Sequence, residues 1–140
     1  MNEINLNTER TKRYFYLLAK RSLKEILELF AEDVHWYVPG NRQFAPWTGH
    51  RHTRTEVEKF FEELWANTEP LDGQIFHHAA VENVVISSGQ FQSRMLPTGK
   101  VYTSLFFTEI IYHEGLIIKY TLLEDSGALT EALTLVGQKV

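Results

Sequence analysis

The second half of the chain contains four strand-length runs in succession, and this pattern constrains the fold more than any other feature. The runs cover residues 74–80, 83–95, 100–112 and 116–123. Turn signals separate the later runs, with Pro-Thr-Gly at 97–99 and His-Glu-Gly at 113–115. Because short turns join neighbouring antiparallel strands, we predict a meander of long antiparallel strands.

The first half of the chain instead shows helical spacing of its apolar residues. Residues 8–20 are predicted to form one helix. Ser22 with Glu25, and Thr53 with Glu56, match the capping box that opens a helix. The apolar positions after each box lie on one helical face: 23, 26, 27 and 30 after the first, then 57, 60, 61 and 64 after the second.

Between and after these helices, the sequence predicts a strand, a loop and a short helix. The run "VHWYV" at 34–38 is β-branched and aromatic, and Pro39-Gly40 ends it. Residues 41–52 are predicted to be a loop, and 126–136 a C-terminal helix capped by Asp125 or Ser126. This order predicts an α+β fold, a cone-shaped barrel with three helices on a strongly curved antiparallel sheet. The open end of such a cone is a natural small-molecule site.

Composition limits the class of protein further. The chain has 140 residues, so we predict a single domain over 1–140. The net charge is −4 without a run of lysine or arginine, so we expect no nucleic-acid partner. There is no cysteine, which excludes disulfides, thiol nucleophiles and cysteine-ligated metals. The polar start "MNEINLNTER" and the lack of a long apolar segment predict no signal peptide and no membrane contact, and we expect a cytoplasmic protein.

Three segments carry a resemblance that covers nearly the whole chain. They are "LFAEDVHWYVPG" (29–40), "WTGHRHTRTEVEKFFEELW" (47–65) and "GLIIKYTLLED" (115–125). They resemble the NTF2-like superfamily and, within it, the SnoaL-like polyketide cyclase and ketosteroid isomerase group. The resemblance implies a pocket for an apolar small molecule, no required cofactor, and a homodimer formed through the sheet. It does not imply one reaction, because this scaffold hosts isomerases, cyclases, hydrolases, dehydratases and binding proteins.

The resemblance also suggests roles for particular residues. Tyr14 matches the first-helix tyrosine that donates a hydrogen bond to an oxyanion. Asp125 matches an acidic residue near the end of the last strand that acts as acid or base in cyclase-like relatives. Val38 stands where the isomerases have their general-base aspartate. Since valine cannot abstract a proton, this departure argues against steroid-isomerase chemistry.

Two further candidates come from the residues themselves. Glu109 shares a strand face with apolar neighbours, and burial there would raise the pKa of its carboxyl into the range useful for acid–base catalysis. The competing interpretation is an ion pair across the sheet with Arg94 or Lys119. His78 shares a face with Phe76 and is either a base in the cavity or a hydrogen-bonded structural group.

The pocket walls are implied mainly by the resemblance, and strand alternation and the helix that follows indicate which side chains would form them. Alternation puts Trp36 and Val38 on one face, where they either line the cone or fill its core. The loop before the third helix would lie at the mouth. The expected ligand-binding residues are therefore Trp36, Val38, Phe44, Trp47, Phe60 and Leu64.

Two other groups of side chains are candidate sites. His50 and His52, with His35, have a spacing that can place imidazoles together, but no acidic third ligand is evident and no metal site is predicted. In the run 100–112, Tyr102, Phe106 and Tyr112 lie on the face opposite Glu109, and that face is a candidate dimer surface; the sequence alone does not decide which face of the sheet lines the cavity.

Three functions remain open from the sequence. The first is an enzyme that uses Asp125, Glu109 or His78 for proton transfer, with Tyr14 as hydrogen-bond donor. The second is a binding or carrier module for a lipophilic ligand, which Val38 favours. The third is an interaction protein with a filled cone and a functional dimer surface.

Overall fold

In the computed structural model, which describes residues 2–135, helices and strands follow the predicted order with one additional strand. The elements are α1 (Glu3–Lys20), α2 (Leu23–Leu27), β1 (Phe30–Val38), β2 (Gly49–Thr53), α3 (Arg54–Ala66), β3 (Thr68–Val81), β4 (Val84–Met95), β5 (Val101–His113), β6 (Leu116–Glu124) and α4 (Ser126–Ala132). The additional strand is β2, which lies in the segment predicted as loop. It forms because its backbone pairs antiparallel with the end of β1, Val38 opposite Gly49. No helix within residues 2–135 is both long and apolar enough to cross a membrane.

The six strands form one sheet in the order β2-β1-β6-β5-β4-β3. The meander from β3 to β6 is antiparallel throughout, as the turn signals predict. β1 joins it through a parallel pairing with β6, in which Trp36 lies opposite Tyr120. The α+β fold is therefore confirmed, and the sheet is mixed and open. Turn signals specify only strands that are consecutive in sequence, so they carry no information on the β1–β6 pair.

The ends of the helices test the capping predictions. The box at the start of α3 is confirmed: the Glu56 amide donates to the Thr53 hydroxyl at 3.2 Å, and the Glu56 carboxylate accepts from the Thr53 amide at 3.1 Å. The box predicted at Ser22 is wrong, because the Ser22 side chain makes no cap hydrogen bond. α2 is only five residues long, since a two-residue turn then leads into β1.

Helix α4 begins as predicted and ends earlier. Asp125 caps it, with its carboxylate accepting from the Ala128 amide at 2.9 Å. The helix ends at Ala132, and the predicted end at Val136 lies outside the described residues. Its far end is attached to the β4–β5 turn, where the Thr98 hydroxyl donates to the Ala132 carbonyl. α4 therefore lies across one end of the sheet.

Strand β5 separates the interior of the molecule from its exterior. Its even-numbered residues are buried and its odd-numbered residues are mostly exposed. We call these the inner face (Tyr102, Ser104, Phe106, Thr108, Ile110 and Tyr112) and the outer face (Val101, Thr103, Leu105, Phe107, Glu109 and Ile111) of β5. Tyr102, Phe106 and Tyr112 therefore do not form the candidate dimer surface, because these rings are buried within the single chain.

An aromatic cluster fills the narrow end of the cone. The Trp36 ring stacks on Tyr120 with 4.3 Å between ring centroids, and Phe60 packs edge-on against Trp36 at 4.7 Å. Tyr14 of α1 contacts Tyr120 from the other side at 5.4 Å. These rings join α1, α3, β1 and β6, and they leave the wider end of the cone unfilled.

Candidate functional site

A cavity of about 480 Å³ lies between the helices and the inner face of the sheet. This volume falls within the range of about 300–1,000 Å³ typical of small-molecule sites. Its walls come from α1, α3, α4 and strands β1 and β3–β6, and they are mostly apolar, with eight aromatic side chains. The aromatic lining residues are Phe15, Trp47, Phe60, Trp65, Phe91, Tyr102, Phe106 and Tyr120. The interaction-protein hypothesis requires a filled cone, and the structure instead contains an open cavity.

Four of the six expected ligand-binding residues line this cavity: Val38, Trp47, Phe60 and Leu64. Trp36 does not line it, because its ring is covered by Tyr120 and belongs to the aromatic cluster behind the wall. Phe44 also lies outside the lining, where it packs half-buried against the core. Alternation placed Trp36 on the correct face but could not show that a second ring lies in front of it.

Glu124, which the sequence reasoning missed, lies in the cavity wall at the end of β6. Its side chain is partly exposed. Burial raises the pKa of the Glu124 carboxyl from 4.5 to about 7, and the nearby Tyr102 hydroxyl offsets part of that rise. The signal that could have found it is period-two alternation, since Tyr120, Leu122 and Glu124 share one face and all line the cavity.

The end of β6 is held in place by hydrogen bonds to the inner face of β5. The Tyr102 hydroxyl donates to the Asp125 carbonyl at 3.0 Å, and the Asp125 amide donates to the Ser104 hydroxyl at 2.8 Å. Burial raises the pKa of Tyr102, so its hydroxyl stays protonated and able to donate. These bonds fix the backbone next to Glu124 and therefore the direction of its side chain.

The structure does not bring together the four residues proposed for catalysis. Asp125 is exposed and caps α4 instead of lining the cavity. Glu109 lies on the outer face of β5 and pairs with Lys119 at 3.5 Å, as the competing interpretation held. Neighbouring residues of a strand point to opposite sides of the sheet, so an assignment that is off by one residue, as for Asp125, or that lacks the identity of the inner face, as for Glu109, misses the cavity.

His78 and Tyr14 also lie outside the cavity lining. The His78 Nδ1 is 2.7 Å from the Ser87 hydroxyl, and its ring packs near Phe15 of α1. Burial, and then the positive charge of Lys12, lower the pKa of His78. Tyr14 is fully buried behind Tyr120, and burial, followed by the effect of Tyr120, raises the pKa of its hydroxyl well above the ordinary value.

Thr108 is an unusual polar group in this wall. It lines the cavity from the inner face of β5 and is 2% exposed. Its hydroxyl has no hydrogen-bond partner within the part of the chain that the structure describes. A buried hydroxyl without a partner is unfavourable, so it marks a place where a bound molecule would gain a polar contact.

Among residues 2–135, the lining side chains that can carry a full charge at neutral pH are Arg21, Asp72 and Glu124. The Arg21 guanidinium is held by bonds to the Trp65 carbonyl at 3.3 Å and to the carbonyl and hydroxyl of Thr68 at 3.2 and 3.0 Å. Asp72 lies on the exposed part of β3 at the cavity mouth. The interior wall therefore contains one carboxyl and no free cation from the described residues.

The histidines considered as metal ligands are engaged in ring contacts. His50 stacks on Tyr37 at 4.2 Å, and His35 meets His52 edge-on at 6.5 Å between centroids. Within the described range, no group of three or more side chains is arranged to hold a metal ion.

The curved sheet, the packed helices and the apolar cavity define an NTF2-like protein. Residues 11–120 match the SnoaL-like domain family, and the chain belongs to that family. No protein of curated function matches it.

Solved structures share the fold at low sequence identity. An NTF2-like protein of unknown function from Burkholderia pseudomallei is 17% identical with a TM-score of 0.84, over 96% of this chain and 99% of that one. An NTF2-like protein from Burkholderia xenovorans is 18% identical with a TM-score of 0.83, over 94% and 98% of the two chains. TerC, crystallised with polyporic acid, is 16% identical with a TM-score of 0.79, over 91% and 98%.

Proposed function

We propose that this protein binds an apolar small molecule in its cavity and that Glu124 exchanges a proton with it, without a cofactor. The observation that carries the proposal is the Glu124 carboxyl in the aromatic cavity wall, with its pKa raised by burial to about 7. A group whose pKa lies near the working pH is available in both protonation states. Such a group serves most effectively as a general acid or base.

In place of Asp125, Glu109 and His78, we propose Glu124 as the proton-transfer group. None of those three side chains lines the cavity, so none reaches a molecule bound there without a rearrangement. Tyr14 is separated from the cavity by Tyr120 and is not proposed as a hydrogen-bond donor to the ligand. The Tyr102 hydroxyl lies in the wall near Glu124 and takes the place of Tyr14 as the neighbouring polar group.

A general-base assay tests this role without knowledge of the natural substrate. The probe is 5-nitrobenzisoxazole: a carboxylate removes its ring C–H proton, the N–O bond breaks, and a coloured cyanophenolate forms. We expect the wild type to catalyse ring opening with a rate that rises with pH through about 7. Glu124→Gln should lose at least about tenfold of that rate, since general-base catalysis contributes roughly 10²–10⁴-fold.

The matched control is Glu109→Gln, which removes a carboxylate on the outer face and should leave the rate unchanged. Equal rates for the wild type and Glu124→Gln across this pH range would refute the catalytic part of the proposal. Binding without turnover would then be the better description. Val38 favours that second function, because it places an apolar side chain in the wall where the isomerases have a base.

We also propose that two copies of the chain associate through the outer face of the sheet. Leu105, Phe107, Leu123 and Ile86 expose 54%, 51%, 49% and 48% of their surfaces there. Phe107 pairs with Leu123 across β5 and β6, so the patch is continuous, as expected of an interaction surface.

Light scattering tests the association. It should show that the wild type is a dimer and that Phe107→Arg is a monomer. The control variant Val81→Arg, at the end of edge strand β3, should remain dimeric. A monomeric wild type would contradict the proposal.

A further inference from the structure

The charges that face the cavity restrict the chemistry of its ligand. This inference rests on the proposed function, because it concerns the same cavity and the same carboxyl. A carboxylic acid ligand would need a free cation in the wall. Arg21 is the lining residue that could supply one, but three hydrogen bonds tie it to Trp65 and Thr68. Its face also lies 5.5 Å from the Trp65 ring, which further restricts its movement.

Arg21 is held by its hydrogen bonds, whereas Glu124 lies in the cavity wall without a group of opposite charge to pair with among the described residues. Its carboxyl lies in an aromatic wall, and no lysine, arginine or histidine forms an ion pair with it among the described residues. A carboxylate in such surroundings is unfavourable unless a positive charge arrives to pair with it. The nearby polar group is the Tyr102 hydroxyl, which already donates to the Asp125 carbonyl. Without such a charge the carboxyl keeps its proton, and a cationic group on a ligand would stabilise its ionised form.

The rest of the wall suits a cation with an apolar body. Trp47, Trp65 and Phe91 line the cavity, and the electron-rich faces of aromatic rings attract positively charged nitrogen. The register of β5 and β6 places Phe106 opposite Glu124 and Thr108 opposite Leu122. Thr108 is thus a diagonal neighbour of Glu124, at roughly 7 Å between backbones, and its hydroxyl without a partner offers a second polar contact at the same end of the cavity.

We propose that the ligand of this cavity is an apolar molecule with one basic nitrogen, which pairs as a cation with the Glu124 carboxylate and contacts the Thr108 hydroxyl. When the ligand arrives as a free base, the proton of the Glu124 carboxyl moves to the nitrogen, and the ion pair forms with no other change in bonding. When it arrives as a cation, the carboxyl releases its proton to water. The apolar body of the ligand fills the space between the helices and β4.

Three probes of one shape test this inference: 4-phenylbutylamine, 4-phenyl-1-butanol and 4-phenylbutyrate. Trp47 and Trp65 line the cavity, so quenching of tryptophan fluorescence reports binding. At pH 8 we expect the amine to bind at least tenfold tighter than the alcohol and the carboxylate to bind weakest. Glu124→Gln should abolish the preference for the amine while the affinity for the alcohol is kept. Glu109→Gln should keep the full preference.

A second pair of variants examines the polar contact at Thr108. Thr108→Val should weaken binding of the amine by about threefold to tenfold, the loss expected for one hydrogen bond. Thr103→Val, on the outer face of the same strand, is the matched control and should have no effect.

The proposal that the ligand carries a basic nitrogen is refuted if the alcohol or the carboxylate binds as tightly as the amine, or if none of the three probes binds. The first result would leave binding of an apolar molecule intact. The 5-nitrobenzisoxazole assay reports on Glu124 separately, so the proposed function fails only if that rate is also independent of Glu124.

Discussion

The two faces of the sheet hold the same type of side chain in two different states. Glu124 on the inner side lies in an aromatic wall, and burial raises the pKa of its carboxyl to about 7. Glu109, on the outer face of the neighbouring strand, is partly exposed and pairs with Lys119. The residue type is identical and the strands are adjacent, so the difference comes from which face the helices cover. A carboxyl becomes a candidate for proton transfer through its surroundings.

Hydrophobicity does not distinguish these faces. The outer face of β5 contains Leu105 and Phe107, which are about half exposed, whereas the inner face includes Ser104 and Thr108, which are buried. An apolar strand face therefore does not identify the interior of this sheet. The informative residues are the buried polar ones, because they are unfavourable unless they bond to the backbone or to a ligand.

The largest expected effect is the difference in stability lost when a ring is removed from the inner or from the outer face of β1. Trp36→Ala removes a fully buried ring that stacks on Tyr120, so it should lower the free energy of unfolding by about 3–5 kcal/mol. Tyr37→Ala removes the adjacent ring, which stacks on His50 at the surface, and should cost about 1 kcal/mol or less. Urea denaturation measures both values.

Trp36→Phe is the milder variant if Trp36→Ala fails to fold, and it should still cost more than Tyr37→Ala. Similar losses for Trp36 and Tyr37 variants would mean that the faces of β1 are not divided into interior and exterior as described.

The elements that the sequence predicts are those whose signals are local. The meander follows from two turns, and the start of α3 follows from Thr53 and Glu56, whose partners lie three residues away. β2 and the parallel β1–β6 pair depend on the backbone of a distant strand. No short-range pattern specifies these contacts, and the sequence alone therefore did not predict them.

The candidate site was harder to predict than the fold because it depends on facing direction and on depth. Asp125 is one position from Glu124, and that single step separates a helix cap from a cavity carboxyl. Trp36 is correctly placed on the inner side, yet Tyr120 lies between it and the cavity. Alternation gives the two faces of a strand, but only packing decides which face is covered and which layer meets the cavity.

A second, pH-dependent effect compares Glu124 with Glu109 directly. The pKa of Glu124 is raised in the folded state, so the folded protein holds a proton that the unfolded chain releases above about pH 4.5. Stability contributed by this group is complete below pH 4.5 and is lost as pH rises to about 7. Glu124→Gln cannot ionise, and at pH 8 it should be more stable than the wild type by about 1–3 kcal/mol.

At pH 4.5 the two proteins should have similar stability, so the difference must grow with pH. Glu109→Gln should instead be slightly less stable than the wild type at pH 8, by about 0–1 kcal/mol, because it loses a surface ion pair. Chemical denaturation at both pH values makes the comparison. A Glu124→Gln effect that is independent of pH would show that the carboxyl is not desolvated.

The smallest expected effect concerns Asp125, the acidic residue next to Glu124 at the end of β6. Asp125→Ala removes the cap of α4 and should lower stability by about 1 kcal/mol at pH 7. Asp125→Asn keeps an oxygen that accepts from the Ala128 amide, so it should recover most of that loss. Both variants should retain the wild-type rate with 5-nitrobenzisoxazole, because Asp125 does not line the cavity. If Asp125→Asn were as stable as the wild type but lost the rate that Glu124→Gln keeps, the proton-transfer group would be Asp125, and the assignment made from strand direction would be reversed.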